Sequence, residues 1–132
     1  MAEKFAPRLR ALIKRAAFWL FWPAIAIVIY GQLAPNPEEE LPDLGWDKLL
    51  HFSAYFGLSL LAGLAWGRRM QMLLIFLAAV AMGGVMEMLQ LLVGRAAEWG
   101  DMLANTLGAG AGAGLAALLL RLARLVDARR AD

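Results

Sequence analysis

A chain of 132 residues, 61% of them hydrophobic and with a mean hydropathy of +0.60, carries more apolar side chain than a soluble domain of this length can cover. Its formal charge is only +2, yet most cations are bunched in short segments, so their placement is more informative than their sum. The lack of cysteine excludes disulfides, thiolate metal sites and a cysteine nucleophile. Four spans of about 20 residues each would use most of the chain and leave no room for a separate soluble domain.

A basic segment, residues 1–15, comes first, and no charged side chain then occurs between Arg15 and Glu38. The first span is expected over about residues 16–34, with Pro23 kinking it. It reads as an uncleaved anchor, being too long for a signal-peptide core and lacking a small-x-small site before Pro35. Pro35, Pro37, Pro42, the acidic run Glu38–Glu40, Asp43 and Gly45 predict an exposed loop. A second span, 49–67, follows Lys48 and carries His51, Ser53, Tyr55 and Ser59. Beyond the Gly67-Arg68-Arg69 turn, the third span, 70–93, is apolar except for Gln71, Glu87 and Gln90, and stops at Gly94-Arg95. The fourth, 102–120, is interrupted only by Asn105 and Thr106 and leads into a basic tail, 121–132. The fold class expected is therefore all-α, a polytopic membrane protein of four transmembrane helices.

Lys4, Arg8, Arg10, Lys14, Arg15, Arg68, Arg69, Arg121, Arg124, Arg129 and Arg130 share one side of that topology, leaving Lys48 and Arg95 opposite. The positive-inside rule makes the basic side, with both termini, cytoplasmic. Trp19, Trp22 and Trp66 then mark the inner interface, and Tyr30, Trp46 and Trp99 the outer one. Glycines repeat at i and i+4 through Gly108 and Gly112, beside a Gly83-Gly84 pair on span three. This is either apolar filler or a close-approach face, for a neighbouring span, a second copy of the chain or a partner membrane subunit.

Ionisable groups within a span cost about 2.5–3.5 kcal/mol at mid-helix, so each calls for a partner or a wet cavity. Asp47, His51 and Tyr55 share a face of span two with Lys48 beside them; Glu87 and Gln90 share a face of span three with Arg95 beyond it; Asp101 and Asn105 share a face of span four. All lie within about two turns of the outer helix ends, where they can converge on one polar pocket. Structural roles compete: Asp47 and Asp101 as helix N-caps, His51 as an interfacial hydrogen-bonding residue, Gln90 and Asn105 as interhelical amides. Glu87 is the hardest to explain structurally and is the first candidate for a functional role.

The segments Asp47-Lys48-Leu-Leu-His51-Phe-Ser-Ala-Tyr55-Phe-Gly57, Glu87-Met-Leu-Gln90, Gly94-Arg95 and Asp101-Met-Leu-Ala-Asn105-Thr106-Leu-Gly108, in this order and spacing, resemble the VanZ-like family of small bacterial membrane proteins. The resemblance covers about Trp46 to Gly112. It implies a multi-pass protein of the bacterial inner membrane, with Asp47, Lys48, His51, Tyr55, Glu87, Gln90, Arg95, Asp101 and Asn105 as the pattern's polar positions. The founding member is associated with teicoplanin resistance, and the resemblance carries no reaction with it.

The leading expectation is a cell-envelope protein whose outer-leaflet pocket binds a lipid headgroup or lipid-linked envelope precursor. Lys48 and Arg95 would hold a phosphate or carboxylate, and Glu87, Gln90 and Asn105 would contact hydroxyl or amide groups. The alternative is a membrane-embedded enzyme with His51 and Glu87 as acid and base, or with a divalent metal held by Asp47, His51, Glu87 and Asp101. No motif identifies a resident metal or cofactor, and the basic segments flanking apolar spans suit anionic lipid rather than nucleic acid. A transporter component ranks last, because the inner halves of the spans are nearly bare of polar groups.

Overall fold

The computed structural model describes residues 5–34, 46–68, 71–95 and 97–131. They form four helices, α1 (Phe5–Leu33), α2 (Trp46–Trp66), α3 (Gln71–Leu92) and α4 (Trp99–Ala131), with no strand among the described residues. All four are long and apolar enough to cross a membrane, as the hydropathy pattern requires. The Pro- and Glu-rich segment expected as an exposed loop lies outside the described residues, as do Lys4 and Arg69.

The helices overshoot the expected spans at both ends of the chain. α1 starts at Phe5 rather than near residue 16, with Pro7 in its first turn, where a missing N–H costs nothing. It then continues through Pro23 without ending. α4 runs on through the basic tail to Ala131, because Leu, Ala and Arg are strong helix formers and no Gly or Pro follows Gly114. Hydropathy marks where a helix leaves the apolar layer; propensity decides where it stops.

α2 and α4 form the tightest seam. α4 buries Asp101, Ala104, Asn105, Gly108, Ala109, Gly112, Ala113 and Ala116, a stripe at helical spacing. A Cβ added at Gly108 would overlap the Phe52 carbonyl oxygen, and one at Gly112 would overlap that of Phe56. The glycine face is thus a close-approach face, and α2 of the same chain occupies it where a second copy or partner subunit was a possible occupant. On α3, Gly83 is buried and leaves space filled by Asn105 and the Tyr55 ring, at 3.3 Å and 3.6 Å from an added Cβ.

α1 lies along α2 and is the least buried helix; among its described side chains only Ala17 and Gln32 are buried. Midway along its length it is held by aromatic edges around Trp66, with Phe21 at 5.1 Å and Phe18 at 5.4 Å between ring centroids. Nearer its start, Arg10 pairs with Asp127 of α4. Many large apolar side chains, including Leu20, Ile27, Leu74, Met88 and Leu92, are exposed, as a lipid-facing surface demands and a water-facing one penalises.

Candidate functional site

Successive helices alternate in direction, so one end of the bundle gathers the C-termini of α1 and α3 and the N-termini of α2 and α4. Gly94 builds part of it. With φ of +79° it ends α3 in a left-handed turn, in which the Arg95 amide donates to the Gln90 carbonyl at 2.9 Å and the Gly94 amide to that of Leu91 at 3.4 Å. The turn sends the Arg95 side chain to α1, where Nη1 donates to the carbonyl oxygens of Gly31 (3.3 Å) and Gln32 (3.0 Å). Gln90 Nε2 donates to the same Gln32 carbonyl at 3.2 Å. These carbonyls lie in the last turn of α1, past the Tyr30 carbonyl that accepts from the Ala34 amide, where intrahelical donors run out, and a guanidinium there also meets the negative end of the helix dipole. Arg95 and Gln90 therefore cap α1 from α3.

Gln32 escaped the reading of the sequence. It is buried, its carbonyl is the shared acceptor just described, and its Oε1 accepts from the Tyr55 hydroxyl at 3.4 Å. The available signal was a lone amide in the last turn of an otherwise apolar span. α1 thus contributes to the polar end as well as anchoring the chain.

Apart from Tyr55, Gln90 and Arg95, which meet at Gln32, the expected polar positions separate into two groups. In the first, Asp47 and His51 on α2 face Asp101 and Asn105 on α4. His51 Nδ1 and Asn105 Oδ1 are 3.0 Å apart, while His51 Nε2 lies 3.8 Å from Asp47 Oδ1 and 3.9 Å from Asp101 Oδ2. His51, Asp101 and Asn105 are buried; Asp47 is partly exposed at the rim. Lys48 reaches α4, donating to Glu98 Oε2 at 3.0 Å with its Nζ 3.6 Å from Asp101 Oδ1. Its stem crosses Gly100, where an added Cβ would come 2.6 Å from Lys48 Cε. Asp47 and Asp101 sit within the first turns of α2 and α4, not at the caps, since those helices begin at Trp46 and Trp99. Their carboxylates still lie at the favourable end of each dipole.

In the second group, Glu87 of α3 faces the start of α4. Its Oε2 accepts from the Glu98 amide at 3.2 Å, and the Glu98 carbonyl accepts from Asp101 and Met102, so Glu98 is the α4 cap residue. Glu87 borders a cavity of about 210 Å³ shared with Ala97, Glu98, Trp99 and Met102. It shares no hydrogen bond with His51 among the described residues.

A second cavity, of about 230 Å³, opens between α1 and α2 and is lined by Gln32, Asp47, His51 and Arg95 over apolar walls that include Ile27 and Leu50. Further along the same two helices, and against α3, lies an apolar cavity of about 310 Å³ lined by residues including Phe21, Ile25, Leu58, Ala62, Ala79 and Met82. Gln32 Nε2, Glu87 Oε1 and Ser59 Oγ at these cavities, and Gln90 Oε1, Asn105 Nδ2 and Asp101 Oδ1 elsewhere in the bundle, are buried without a hydrogen-bond partner among the described residues. Native interiors leave few such atoms.

Four membrane-crossing helices with their costly polar groups gathered at one end define a multi-pass helical membrane protein with a polar site near one membrane surface. The chain belongs to the VanZ/LLP1 family, whose model matches residues 7–121. The match takes in α1 as well as the region from Trp46 to Gly112 that carries the motifs. No curated protein and no solved structure matches the chain.

Proposed function

We propose that the protein binds a membrane lipid, or a lipid-linked envelope precursor, with its headgroup in the cavity lined by Gln32, Asp47, His51 and Arg95. The observation that carries this reading is the order of the two cavities along α1 and α2. A space with polar side chains at its edge, bordered by residues 27–32 and 47–54, is followed, deeper in the bundle, by an almost wholly apolar one bordered by Phe21, Ile25 and Leu58–Trp66. An amphipathic ligand with a compact anionic head and an acyl chain has the matching sequence of polarities. Among the described residues Arg95 gives Nη1 to α1, and its other N–H groups can turn to a phosphate or carboxylate at the cavity edge. Lys48, engaged by Glu98 and Asp101, supports the α2–α4 rim.

With both termini cytoplasmic, as the basic residues argue, this end of the bundle faces the outer leaflet of the bacterial inner membrane. There it would meet glycolipids and peptidoglycan precursors, which is how a link to glycopeptide resistance would arise.

Native mass spectrometry of the protein extracted with its lipids tests the reading. Wild type is expected to retain an anionic lipid. Arg95→Gln, which removes the cation, and Ala79→Phe, which fills the apolar cavity, should each reduce retention about tenfold, the equivalent of about 1.4 kcal/mol. An unchanged lipid complement in both variants would refute it.

A second reading, an enzyme acting on the bound lipid, draws on His51, whose ring is oriented by Asn105 and directed at two carboxylates, an arrangement suited to proton transfer. Turnover of a retained lipid that stops in His51→Gln while retention persists would favour it.

A further inference from the structure

We propose that Asp47, His51 and Asp101 form a binding site for one divalent cation of the Zn²⁺ or Mn²⁺ class. One donor atom from each of the three lies within 4.8 Å of the others. A point then exists within about 2.8 Å of all three, so closing to metal–ligand distances of about 2.0–2.2 Å needs movements of less than about 1 Å. Asp47, half exposed at the rim, is free to rotate that far.

The ring orientation points the same way. His51 Nδ1 is held 3.0 Å from Asn105 Oδ1, which leaves Nε2 as the ring atom that faces Asp47 Oδ1 and Asp101 Oδ2. A side-chain oxygen fixing the distal nitrogen of an imidazole is also the usual support of a metal-ligating histidine.

Burial supplies an independent observation. The Asp101 side chain is 5% exposed and its Oδ1 has no hydrogen-bond partner, an expensive position for a carboxylate whose nearest cation, Lys48 Nζ, is 3.6 Å away and hydrogen-bonded to Glu98. A dication would balance the two aspartates, with His51 Nε2 completing a mixed nitrogen and oxygen donor set suited to Zn²⁺ or Mn²⁺. Asp47 and His51 both line the α1–α2 cavity, so the coordination positions left over would face that space.

The proposal stands apart from lipid binding, because the probe is the metal alone. The full chain is purified in detergent, stripped with a chelator and titrated with Zn²⁺, and in parallel with Mn²⁺ followed by its electron paramagnetic resonance signal. Wild type is expected to bind one ion per chain and to gain thermal stability on doing so. His51→Gln and Asp101→Asn should each weaken binding at least tenfold and lose the metal-dependent stabilisation. Asn105→Leu should weaken it by about 10–100-fold through the ring orientation. Glu87→Gln should leave it unchanged. If the buried variants fail to fold, Asp47→Asn at the rim must still show the loss. Absence of stoichiometric binding at roughly 100 µM of either ion by wild type, or equal binding by Asp47→Asn, would overturn the site.

Discussion

The α2–α4 seam sets the site, so widening it should undo fold and site together. In Gly108→Ala/Gly112→Ala the new methyl groups overlap the carbonyl oxygens of Phe52 and Phe56, which are backbone atoms and can retreat only if the helices part. Restoring van der Waals contact requires about 1 Å of separation, and overpacking of this kind costs about 1–3 kcal/mol per residue. Gly108 lies one turn beyond Asn105, so the same movement stretches the 3.0 Å His51–Asn105 contact to about 4 Å, outside hydrogen-bonding range. Unfolding in mixed detergent micelles measures the first effect, and metal titration or lipid retention the second. Gly114→Ala is the control, since an added Cβ there meets nothing within 4 Å. Its helix propensity should make it neutral or stabilising by up to about 1 kcal/mol. A double variant as stable as this control would show that the glycines do not set the helix separation.

Arg95→Ala should release the Gly31 carbonyl, leave that of Gln32 to Gln90 alone and loosen α1, costing about 1–3 kcal/mol and raising amide exchange near residue 32, measurable by hydrogen–deuterium exchange. Glu87→Gln keeps an acceptor for the Glu98 amide and should cost less than about 1 kcal/mol. Glu87→Leu strands that amide and should cost about 1–3 kcal/mol in the same micelle unfolding. Arg10→Ala, at a half-exposed pair with Asp127, should shift stability by no more than about 1 kcal/mol. The cysteine-free chain allows a direct topology test: a single cysteine at Ala97 should react with a membrane-impermeant maleimide from outside intact cells, and one at Arg129 only after lysis.

The spans and the polar positions of helices two to four could be read from the chain because a charge or amide in an apolar run stands out, and spacing of three or four puts such groups on one face. Asp47 with His51 and Asp101 with Asn105 came together on that logic. The split between His51 and Glu87 could not be read that way, since it depends on the rotation of α3 about its own axis, which hydropathy does not encode. Gln32 was passed over because α1 shows one polar residue and no repeat, and its partners Tyr55, Gln90 and Arg95 are distant in sequence. The destination of the Gly108–Gly112 face was undetermined for a similar reason. Small residues announce close approach without naming the neighbour.

Photo-crosslinking with two lipid probes tests most directly the claim that a lipid lies along α1 and α2, head at the polar end. The account predicts that a probe reactive at its headgroup labels residues around Ile27–Gln32 and Leu50–Ala54, and that a probe reactive in its chain labels residues around Phe21–Ile25 and Leu58–Ala62. Labelling spread evenly around the bundle, as strong on the exposed Leu115, Leu118 and Leu119 of α4 as at the cavities, would contradict it.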